Sequence, residues 1–339
     1  MTRKILVLGG AGYIGAHVAK AIALRGDVPI VMDNLSSGRS DFVKWGPLVK
    51  ADIRETAALD AVFRTFRPDA VMHFAASIEV GLGETDPIGF WNNNVAGALN
   101  VLEAMQLHSC RSFVFSSTCA VYGNPERLPL FETHSRRPIN TYGRTKLAIE
   151  QALEDAARAG HIDYAVLRYF NASGASPDGE IGEEHDPETH LIPLALFAAH
   201  GTGAPLKVFG SDYETADGSC IRDYIHVSDL ARGHLRALDR LFARQESFTC
   251  NLGTGQGVSV FEVLQAVERV TGRKVPFSIA PRRDGDPAAL YANIEYAKHV
   301  LGFVTHRSTI NQIVQDAWNY HRHQPGADHL PGTMCSQGG

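Results

Sequence analysis

A tyrosine and a lysine four residues apart are the clearest candidates for acid–base chemistry in this sequence. Tyr142 and Lys146 lie in the run Tyr-Gly-Arg-Thr-Lys, and positions four apart share one face of a helix. A free tyrosine is almost entirely neutral at pH 7, but a nearby cation favours its phenolate. The pair therefore predicts a general base that takes a proton from a hydroxyl group while the adjacent carbon loses a hydride.

A hydroxyl residue, Thr118, stands at the end of an apolar run that is typical of a buried strand. In parallel sheets the carboxyl ends of the strands face the ligand crevice. We therefore expect Thr118 to share a proton or a hydrogen bond with a substrate oxygen. Ser116 and Ser117, which precede it, are explained as well by capping of the strand end.

A glycine-rich turn at residues 9–15, Gly-Gly-Ala-Gly-Tyr-Ile-Gly, follows a predicted strand at 4–8 and precedes a predicted helix at 13–25. Such a turn lets a pyrophosphate approach the N-terminus of the helix. Asp33 ends the next predicted strand, 18 residues after Gly15. A carboxylate there binds ribose hydroxyls and repels a 2′-phosphate, which favours NAD over NADP, although Arg39 is a nearby cation.

Alternating apolar and amphipathic segments predict the elements that position these residues. Further strands are expected at 70–74, 112–117 and 164–169, with helices between them. This order predicts an α/β fold with a Rossmann-type, doubly wound parallel sheet. We expect an NAD-binding domain over 1–172, a smaller C-terminal α/β substrate lobe over 173–323 with some segments packed back on the first domain, and a disordered tail over 324–339.

Composition limits the classes of partner. The net charge of −5 over 339 residues gives no basic excess, so we expect no nucleic-acid partner. No apolar run is long enough for a membrane span. Five widely spaced cysteines without a Cys-x-x-Cys pair indicate free thiols in a reducing compartment, and we expect a cytoplasmic protein.

One cluster of metal-ligating residue types, at 185–190, contains His185, Asp186, Glu188 and His190. Pro187 interrupts any helix that would bring these side chains to one face. We therefore expect a solvated loop and no metal site.

Several short motifs occur in an order that resembles a known family. They are the glycine turn, Asp33-Asn34-Leu35, His73-Phe74-Ala75-Ala76, Asn93-Asn94-Val95, Ser116 to Gly123, Tyr142 with Lys146, Arg168-Tyr169-Phe170-Asn171 and Arg222 to Val227. In them the chain resembles the extended short-chain dehydrogenase/reductases, and among these the UDP-hexose 4-epimerases. The resemblance runs from Lys4 to about His321.

The resemblance implies tightly held NAD, a UDP-sugar substrate and a homodimer. Tyr142 would act as the base, Lys146 would bind the nicotinamide ribose and Thr118 would assist, while UDP-glucose and UDP-galactose interconvert through a 4-keto sugar. The residues implied to bind cofactor are Gly9, Gly12, Tyr13, Ile14, Gly15, Asp33, Asn34, Asp52, Ile53, Phe74, Ala75, Ala76, Asn93, Tyr142, Lys146 and Phe170. Those implied to bind substrate are Thr118, Tyr142, Asn171, His190, Leu191, Phe209, Arg222, Arg283 and Asp286.

Departures from the family pattern leave the sugar open. Ile78-Glu79 replaces a segment in which many relatives have a lysine, and His190 stands where relatives often have asparagine. Leu290 occupies a position that sets pocket width, and its intermediate size leaves UDP-pentoses and UDP-N-acetylhexosamines as alternatives. Dehydratases of this fold carry acids beside the active-site threonine, where this chain has Cys119-Ala120. A non-catalytic NAD-binding regulator is the alternative of a different class, although such proteins usually lack the tyrosine–lysine pair.

Overall fold

A parallel sheet lies at the centre of the chain, whose computed structural model describes residues 2–283 and 286–323. The strands in chain order are β1 Lys4–Leu8, β2 Val28–Asp33, β3 Leu48–Lys50, β4 Ala70–His73, β5 Ser112–Thr118, β6 Asp163–Tyr169, β7 Asn171–Ser173, β8 Leu206–Phe209, β9 Ile221–Arg222, β10 Tyr224–His226, β11 Phe248–Leu252, β12 Val258–Ser259, β13 Phe277–Ala280 and β14 Ala289–Leu290. Seven of them form the main sheet in the order β11-β6-β5-β4-β1-β2-β3, with every neighbouring pair parallel.

Helices connect the strands and cover both faces of this sheet. In chain order they are α1 Tyr13–Leu24, α2 Thr56–Phe66, α3 Val80–Thr85, α4 Pro87–Phe90, α5 Gly97–Leu107, α6 Thr141–Arg158, α7 Leu191–His200, α8 Val227–Arg244, α9 Val260–Thr271, α10 Glu295–Leu301 and α11 Ile310–His321. A π-helical segment, Trp91–Ala96, leads into α5, and short 3-10 turns lie at Ser40–Phe42 and Cys119–Tyr122.

The apolar strands explain why the sheet is buried on both sides. Ile5, Leu6, Val7 and Leu8 of β1 are all fully buried. One face of the sheet packs with apolar residues of α1 and α8, and the other with those of α2, α5 and α6. Continuous apolar strands between two helical layers are what a doubly wound sheet requires, so the predicted fold class is confirmed.

The second part of the chain forms a smaller core and also returns to the main sheet. Apolar residues of α7, α9 and α11 pack together with β8, and β8 pairs with β13. Two further short sheets are formed, β12-β9-β14 and β10-β7. The strand β11 pairs with β6, so a segment from beyond residue 172 completes the seven-stranded sheet.

The strand order fixes where a ligand crevice must lie. Sequence order along the sheet reverses between β1 and β4, and ligands of such sheets bind outside the carboxyl ends of the strands at that reversal. The glycine turn, the segment after β4 and Thr118 all follow strands at this edge. The predicted tail at 324–339 lies outside the described residues. In the part of the chain that is described, no helix is long and apolar enough to cross a membrane.

Candidate active site

The turn between β1 and α1 forms a cradle that side chains would fill. Gly9 has a φ of +73°, and a Cβ built on it would lie 2.5 Å from the backbone nitrogen of Ala75. A Cβ on Gly15 would lie 2.2 Å from the carbonyl oxygen of Gly9. Gly12 is the N-cap residue of α1, and no side chain caps the first turn of this helix. Because no side chain fits at Gly9 or Gly15, the turn stays narrow, as it must for a pyrophosphate to approach the backbone at the N-terminus of α1.

The two residues that follow Gly12 anchor this turn to the rest of the fold. Tyr13 donates a hydrogen bond from its hydroxyl group to the carbonyl oxygen of Gly174 at 2.7 Å. Ile14 packs against the core formed with α1 and α8. Their side chains thus point into protein, and the turn's backbone is held in place.

Asp33 is positioned at the end of β2 by the backbone of the loops around it. Its carboxylate is buried and accepts hydrogen bonds from the backbone nitrogens of Ala11 at 2.9 Å and Leu35 at 2.8 Å. Arg39, the nearby cation, is paired with Asp41 at 2.7 Å and also contacts Glu184. Because these acids engage Arg39, the geometry favours a ribose hydroxyl over a 2′-phosphate beside Asp33.

A second acid, Asp52, is held in place by hydrogen bonds, one of which comes from the residue that follows Asp33 in the chain. Asn34 donates to the carboxylate of Asp52 at 2.9 Å, and Arg54 binds the same carboxylate at 2.9 and 2.7 Å. The Arg54 hydrogen bond holds the pKa of Asp52 well below its usual range, so this carboxylate is ionised at neutral pH. Ile53 is buried beside it and contacts the position of Gly97 at the start of α5.

The segment after β4 continues the same edge of the sheet. Phe74 packs against His234 with ring centroids 5.0 Å apart, and Ala75 joins the opposite core. Ala76 follows, and Asn93 donates to the hydroxyl of Ser77 at 3.1 Å. This segment, together with the cradle and Asp33, surrounds the space in which the resemblance places NAD.

Asn94, which the sequence analysis quoted in a motif but gave no role, ties this segment to α6. Its side chain is fully buried. It accepts a hydrogen bond from the backbone nitrogen of Ser77 at 2.8 Å and donates to the hydroxyl of Thr145 at 3.1 Å. Asn94 thereby holds the cofactor-side segment at a fixed distance from α6.

Tyr142 and Lys146 lie one turn apart on α6, as their spacing predicts. The Asn140 side chain caps this helix by accepting from the backbone nitrogen of Gly143 at 2.8 Å. The Lys146 ammonium is buried, donates to the carbonyl oxygen of Ser116 at 2.9 Å and lies 5.8 Å from the centroid of the Tyr142 ring. The tyrosine, the lysine and the end of β5 therefore meet in one place.

Burial pushes the two ionisable groups of this pair towards their neutral forms. Burial raises the pKa of Tyr142 well above its usual value, and the hydroxyl of Thr118 opposes this shift. Burial lowers the pKa of Lys146 to about 7, and the carboxylate of Glu150 opposes that shift. A phenolate on Tyr142 therefore needs positive charge beside it, from Lys146 and from a bound cationic ring.

Thr118 and its neighbour complete the site on the β5 side. Thr118 is buried, and its hydroxyl accepts from the backbone nitrogen of Ala120 at 3.1 Å. Burial raises the pKa of the Cys119 thiol to about 12, so this thiol is neutral at physiological pH. No carboxylate stands in the Cys119-Ala120 positions, which leaves Tyr142 as the candidate proton acceptor there.

A buried ion pair under the site was also missed by sequence reasoning. Arg168 donates to the carboxylate of Glu150 at 2.9 and 2.7 Å, and their side chains are 3% and 1% exposed. Ser117 donates to the same carboxylate at 2.6 Å. Glu150 is four residues after Lys146, so its place on the catalytic face of α6 was available from the spacing.

The residues implied to bind substrate fall into separate groups. Arg222 on β9 is paired with Asp286, and the Arg283 guanidinium lies 4.0 Å from the ring centroid of Phe209. Arg222 is close enough to Cys119 to lower the pKa of its thiol, which places it near Thr118. A guanidinium is a bidentate partner for a diphosphate.

The remaining candidates lie at element boundaries around the crevice. His190 is the N-cap residue of α7 and Leu191 is its first residue. Asn171 begins β7, directly after Phe170, which packs against the same apolar cluster as Cys119 and Leu290. Among the described residues, no hydrogen bond links His190 or Leu191 to the two arginines.

The cradle, the buried acid and the tyrosine–lysine pair at the strand reversal define a dinucleotide-dependent enzyme of the Rossmann fold. The chain belongs to the NAD dependent epimerase/dehydratase family, whose match covers residues 5–253. It is 51% identical over 317 residues to the UDP-glucose 4-epimerase of Rhizobium leguminosarum bv. trifolii, covering 94% of this chain and 97% of that one.

Solved structures with the same architecture support this assignment. UDP-glucose 4-epimerase from Brucella ovis in complex with NAD matches with a TM-score of 0.92 and 49% identity, over 94% of this chain and 98% of that chain. The Stenotrophomonas maltophila UDP-glucose 4-epimerase, with bound NAD and formylated UDP-arabinopyranose, matches with a TM-score of 0.92 and 40% identity, over 94% and 98% of the two chains.

Proposed function

We propose that this chain interconverts UDP-glucose and UDP-galactose by oxidising and reducing C4 of the sugar. The observation that carries the proposal is that Tyr142, Lys146 and Thr118 lie together at the end of β5. The glycine turn at the same edge of the sheet has no room for side chains at Gly9 and Gly15. The relatives named above catalyse, by their names, this epimerisation.

The residues of the chain account for the proton transfers of the reaction. Tyr142 takes the proton of the 4-hydroxyl group while C4 loses its hydride, which leaves a 4-keto sugar. Bound NAD supplies the acceptor and later the donor of that hydride. After the keto sugar has turned over in the pocket, Tyr142 returns the proton, and the hydroxyl then lies on the opposite face. Lys146 and Thr118 favour the ionised form of Tyr142 by charge and by hydrogen bonding.

The same geometry disfavours elimination of water as the reaction. Elimination needs an acid that protonates the leaving hydroxyl group, and Cys119, with its thiol pKa near 12, is a poor source of that proton. Epimerisation needs only the reversible proton and hydride transfers. UDP-pentoses and UDP-N-acetylhexosamines are the alternative substrates, because the intermediate size of Leu290, which packs against the same small apolar cluster as Phe170 and Cys119, does not decide between them.

The direct test is to incubate the purified chain with UDP-galactose and no added cofactor, and to separate the products by chromatography. We expect UDP-glucose to form, because NAD is retained from the cell. A Tyr142→Phe variant should hold NAD equally well and lose at least about 10²-fold in turnover. If UDP-hexoses are inert while UDP-N-acetylhexosamines or UDP-pentoses are converted, the substrate assignment fails and the reaction type stands.

We also propose that the chain acts as a homodimer through the helical segments 93–105 and 145–156. On α5, Leu99 is 43% exposed, and the neighbouring Ile88 of α4 is 69% exposed. Apolar side chains exposed side by side on adjacent helices favour association. A Leu99→Glu variant should elute from gel filtration as a monomer at micromolar concentration, whereas the unchanged chain should elute as a dimer; a monomeric unchanged chain would contradict this.

A cytoplasmic location completes the proposal. It rests on the four described cysteines, Cys110, Cys119, Cys220 and Cys250, all of which are free. Fractionation of the producing cells should recover the chain with the cytoplasmic enzymes.

A further inference from the structure

The loop between β7 and α7 contains a cluster of side chains that the proposed reaction does not use. One ligand atom from each of Glu183, His185, Glu188 and His190 lies within 4.8 Å of the other three. Their side chains are 4%, 20%, 10% and 39% exposed, in that order. The segment 185–190 is a loop, as expected, and Asp186, Pro187 and Thr189 are exposed, but Glu188 and the preceding Glu183 are largely removed from water.

One of these groups lacks the partner that burial demands. Nδ1 of His185 is buried and makes no hydrogen bond. The Glu183 carboxylate faces Nδ1 of His185 at 3.7 Å and Nδ1 of His190 at 3.2 Å, while His190 makes its hydrogen bond to Glu188 instead. Buried polar atoms are almost always satisfied by protein, water or an ion. The unpartnered Nδ1 of His185, which faces both carboxylates, therefore points to a ligand among these side chains.

The separations within the cluster are those of a small coordination sphere. Nδ1 of His185 is 3.7 Å from Oε1 of Glu183 and 3.8 Å from Oε2 of Glu188. Nδ1 of His190 is 3.2 Å from Oε1 of Glu183 and 2.8 Å from Oε1 of Glu188. Tetrahedral bonds of about 2.0–2.2 Å put neighbouring ligand atoms roughly 3.3–3.6 Å apart. The distances of 3.7, 3.8 and 3.2 Å lie within roughly 0.2 Å of that range. On metal binding, Nδ1 of His190 would exchange its hydrogen bond with Oε1 of Glu188 for a bond to the ion.

The two oxygens of Glu188 have different surroundings: Oε1 is hydrogen-bonded to the loop, whereas Oε2 is available to an ion. Oε1 accepts from the backbone nitrogens of Thr189 at 2.7 Å and His190 at 2.8 Å, which fixes the carboxylate on its own loop. Oε2 faces the unpartnered Nδ1 of His185. Metal-ligating carboxylates are commonly held by such additional hydrogen bonds.

We propose that Glu183, His185, Glu188 and His190 form a binding site for a divalent transition-metal ion of the zinc type. Two imidazoles and two carboxylates suit this class, whereas Mg²⁺ and Ca²⁺ prefer oxygen ligands throughout. Two ionised carboxylates balance the charge of the ion, so the buried site carries no net charge.

The position of the cluster gives the ion a structural consequence. The ring of His185 lies edge-on to that of Tyr13, with centroids 6.4 Å apart, and Tyr13 begins α1 in the glycine cradle. His190 caps α7. An ion bound by both histidines would therefore hold the loop in a fixed position between the N-termini of α1 and α7. Coordination through Nδ1 leaves Nε2 of His190 with its hydrogen, so His190 could still donate to a substrate.

Zinc binding by the tag-free, full-length chain tests the proposal. After treatment with EDTA and desalting, the chain is titrated with ZnCl₂ in competition with a chromophoric chelator. We expect one ion per chain. Glu183→Gln and His185→Gln should each weaken binding at least tenfold. The matched control is His299→Gln, which changes an exposed histidine on α10 and should bind zinc as the unchanged chain does.

Cobalt substitution provides a readout that does not depend on the variants. Co²⁺ in a tetrahedral site of nitrogen and oxygen ligands gives intense visible absorption, whereas octahedral Co²⁺ absorbs weakly. We expect the intense bands at one equivalent of Co²⁺, and their displacement by Zn²⁺. Weak bands, or equal zinc affinity in all three variants, would overturn the proposal. If the two site variants do not fold, the spectrum of the unchanged chain decides.

Discussion

The carboxylate of Glu150 accepts a 2.6 Å hydrogen bond from the hydroxyl of Ser117, and this bond joins the helix of Tyr142 and Lys146 to the strand that ends in Thr118. Arg168 holds the same carboxylate with two further hydrogen bonds. One buried anion therefore fixes both halves of the catalytic group. Glu150 is also the anion that opposes the loss of charge on Lys146.

Replacing Glu150 by glutamine should change how turnover depends on pH. Burial already lowers the pKa of Lys146 to about 7, and removal of the Glu150 charge should lower it further. A lysine with a lower pKa loses its proton at a lower pH. As the pH is raised, the variant should therefore lose activity before the unchanged enzyme does. We expect roughly fivefold lower kcat at neutral pH, because a smaller fraction of Lys146 then carries its proton.

A glutamate on the next turn of α6 provides the control for this variant. Glu154 is paired with Arg136 and is 33% exposed, and no effect of its charge on Lys146 is resolved. Glu154→Gln should keep the original pH profile of kcat. If both variants lower kcat equally at every pH, Glu150 acts on stability alone and the electrostatic role is wrong.

The hydroxyl group of Thr118 should contribute more to kcat than the shape of its side chain does. It lowers the pKa of Tyr142 against the effect of burial, and it lies at the end of β5. Thr118→Val keeps the shape and removes the hydroxyl, so kcat should fall by about 10²-fold, whereas Thr118→Ser should recover most of it. Steady-state rates with UDP-galactose measure both, and equal losses in the two variants would show that packing, not the hydroxyl, is what matters.

Asp33 should determine how much NAD the purified protein retains. Removing the charge takes away a charge-assisted hydrogen bond to ribose, so Asp33→Asn should retain at least about tenfold less NAD and discriminate less against NADP. Nucleotide released by heating and measured by chromatography gives the amount. Asp41→Asn is the control, because this exposed acid pairs with Arg39 outside the cradle; a matching loss of NAD in that variant would argue against the role of Asp33.

Removing one partner of the buried ion pair should cost far more stability than removing an exposed arginine. Arg168→Ala leaves the Glu150 carboxylate buried and short of its cation, which should lower the free energy of unfolding by about 3–5 kcal/mol. Arg158→Ala removes an arginine that is 75% exposed, and it should change that free energy by less than about 0.5 kcal/mol. Urea unfolding compares the two, and similar values would contradict the importance of the pair.

Local patterns explain why much of this site could be predicted. The unit of strand, glycine turn, helix and acid lies within residues 4–33, and its spacing follows from backbone geometry alone. The pairing of Tyr142 with Lys146 likewise needs only the period of a helix. Both the fold class and the family could therefore be inferred from sequence.

Contacts between distant segments explain what could not be predicted. Ser117 and Glu150 are 33 residues apart, and Asn94 and Thr145 are 51 apart. The loop at 183–190 resembles a solvated segment because Pro187 breaks helical periodicity, yet the tertiary fold turns Glu183 inward. The return of β11 to the main sheet also depends on pairing that no local pattern specifies.

The fate of the hydrogen on C4 tests the central claim most directly. UDP-galactose carrying deuterium at C4 is incubated with the chain in ordinary water, and the UDP-glucose formed is analysed by mass spectrometry. Because the hydride is taken up and returned within one site, we predict that the product keeps its deuterium. Loss of the deuterium to solvent would mean that C4 is deprotonated instead, and would contradict oxidation and reduction at C4.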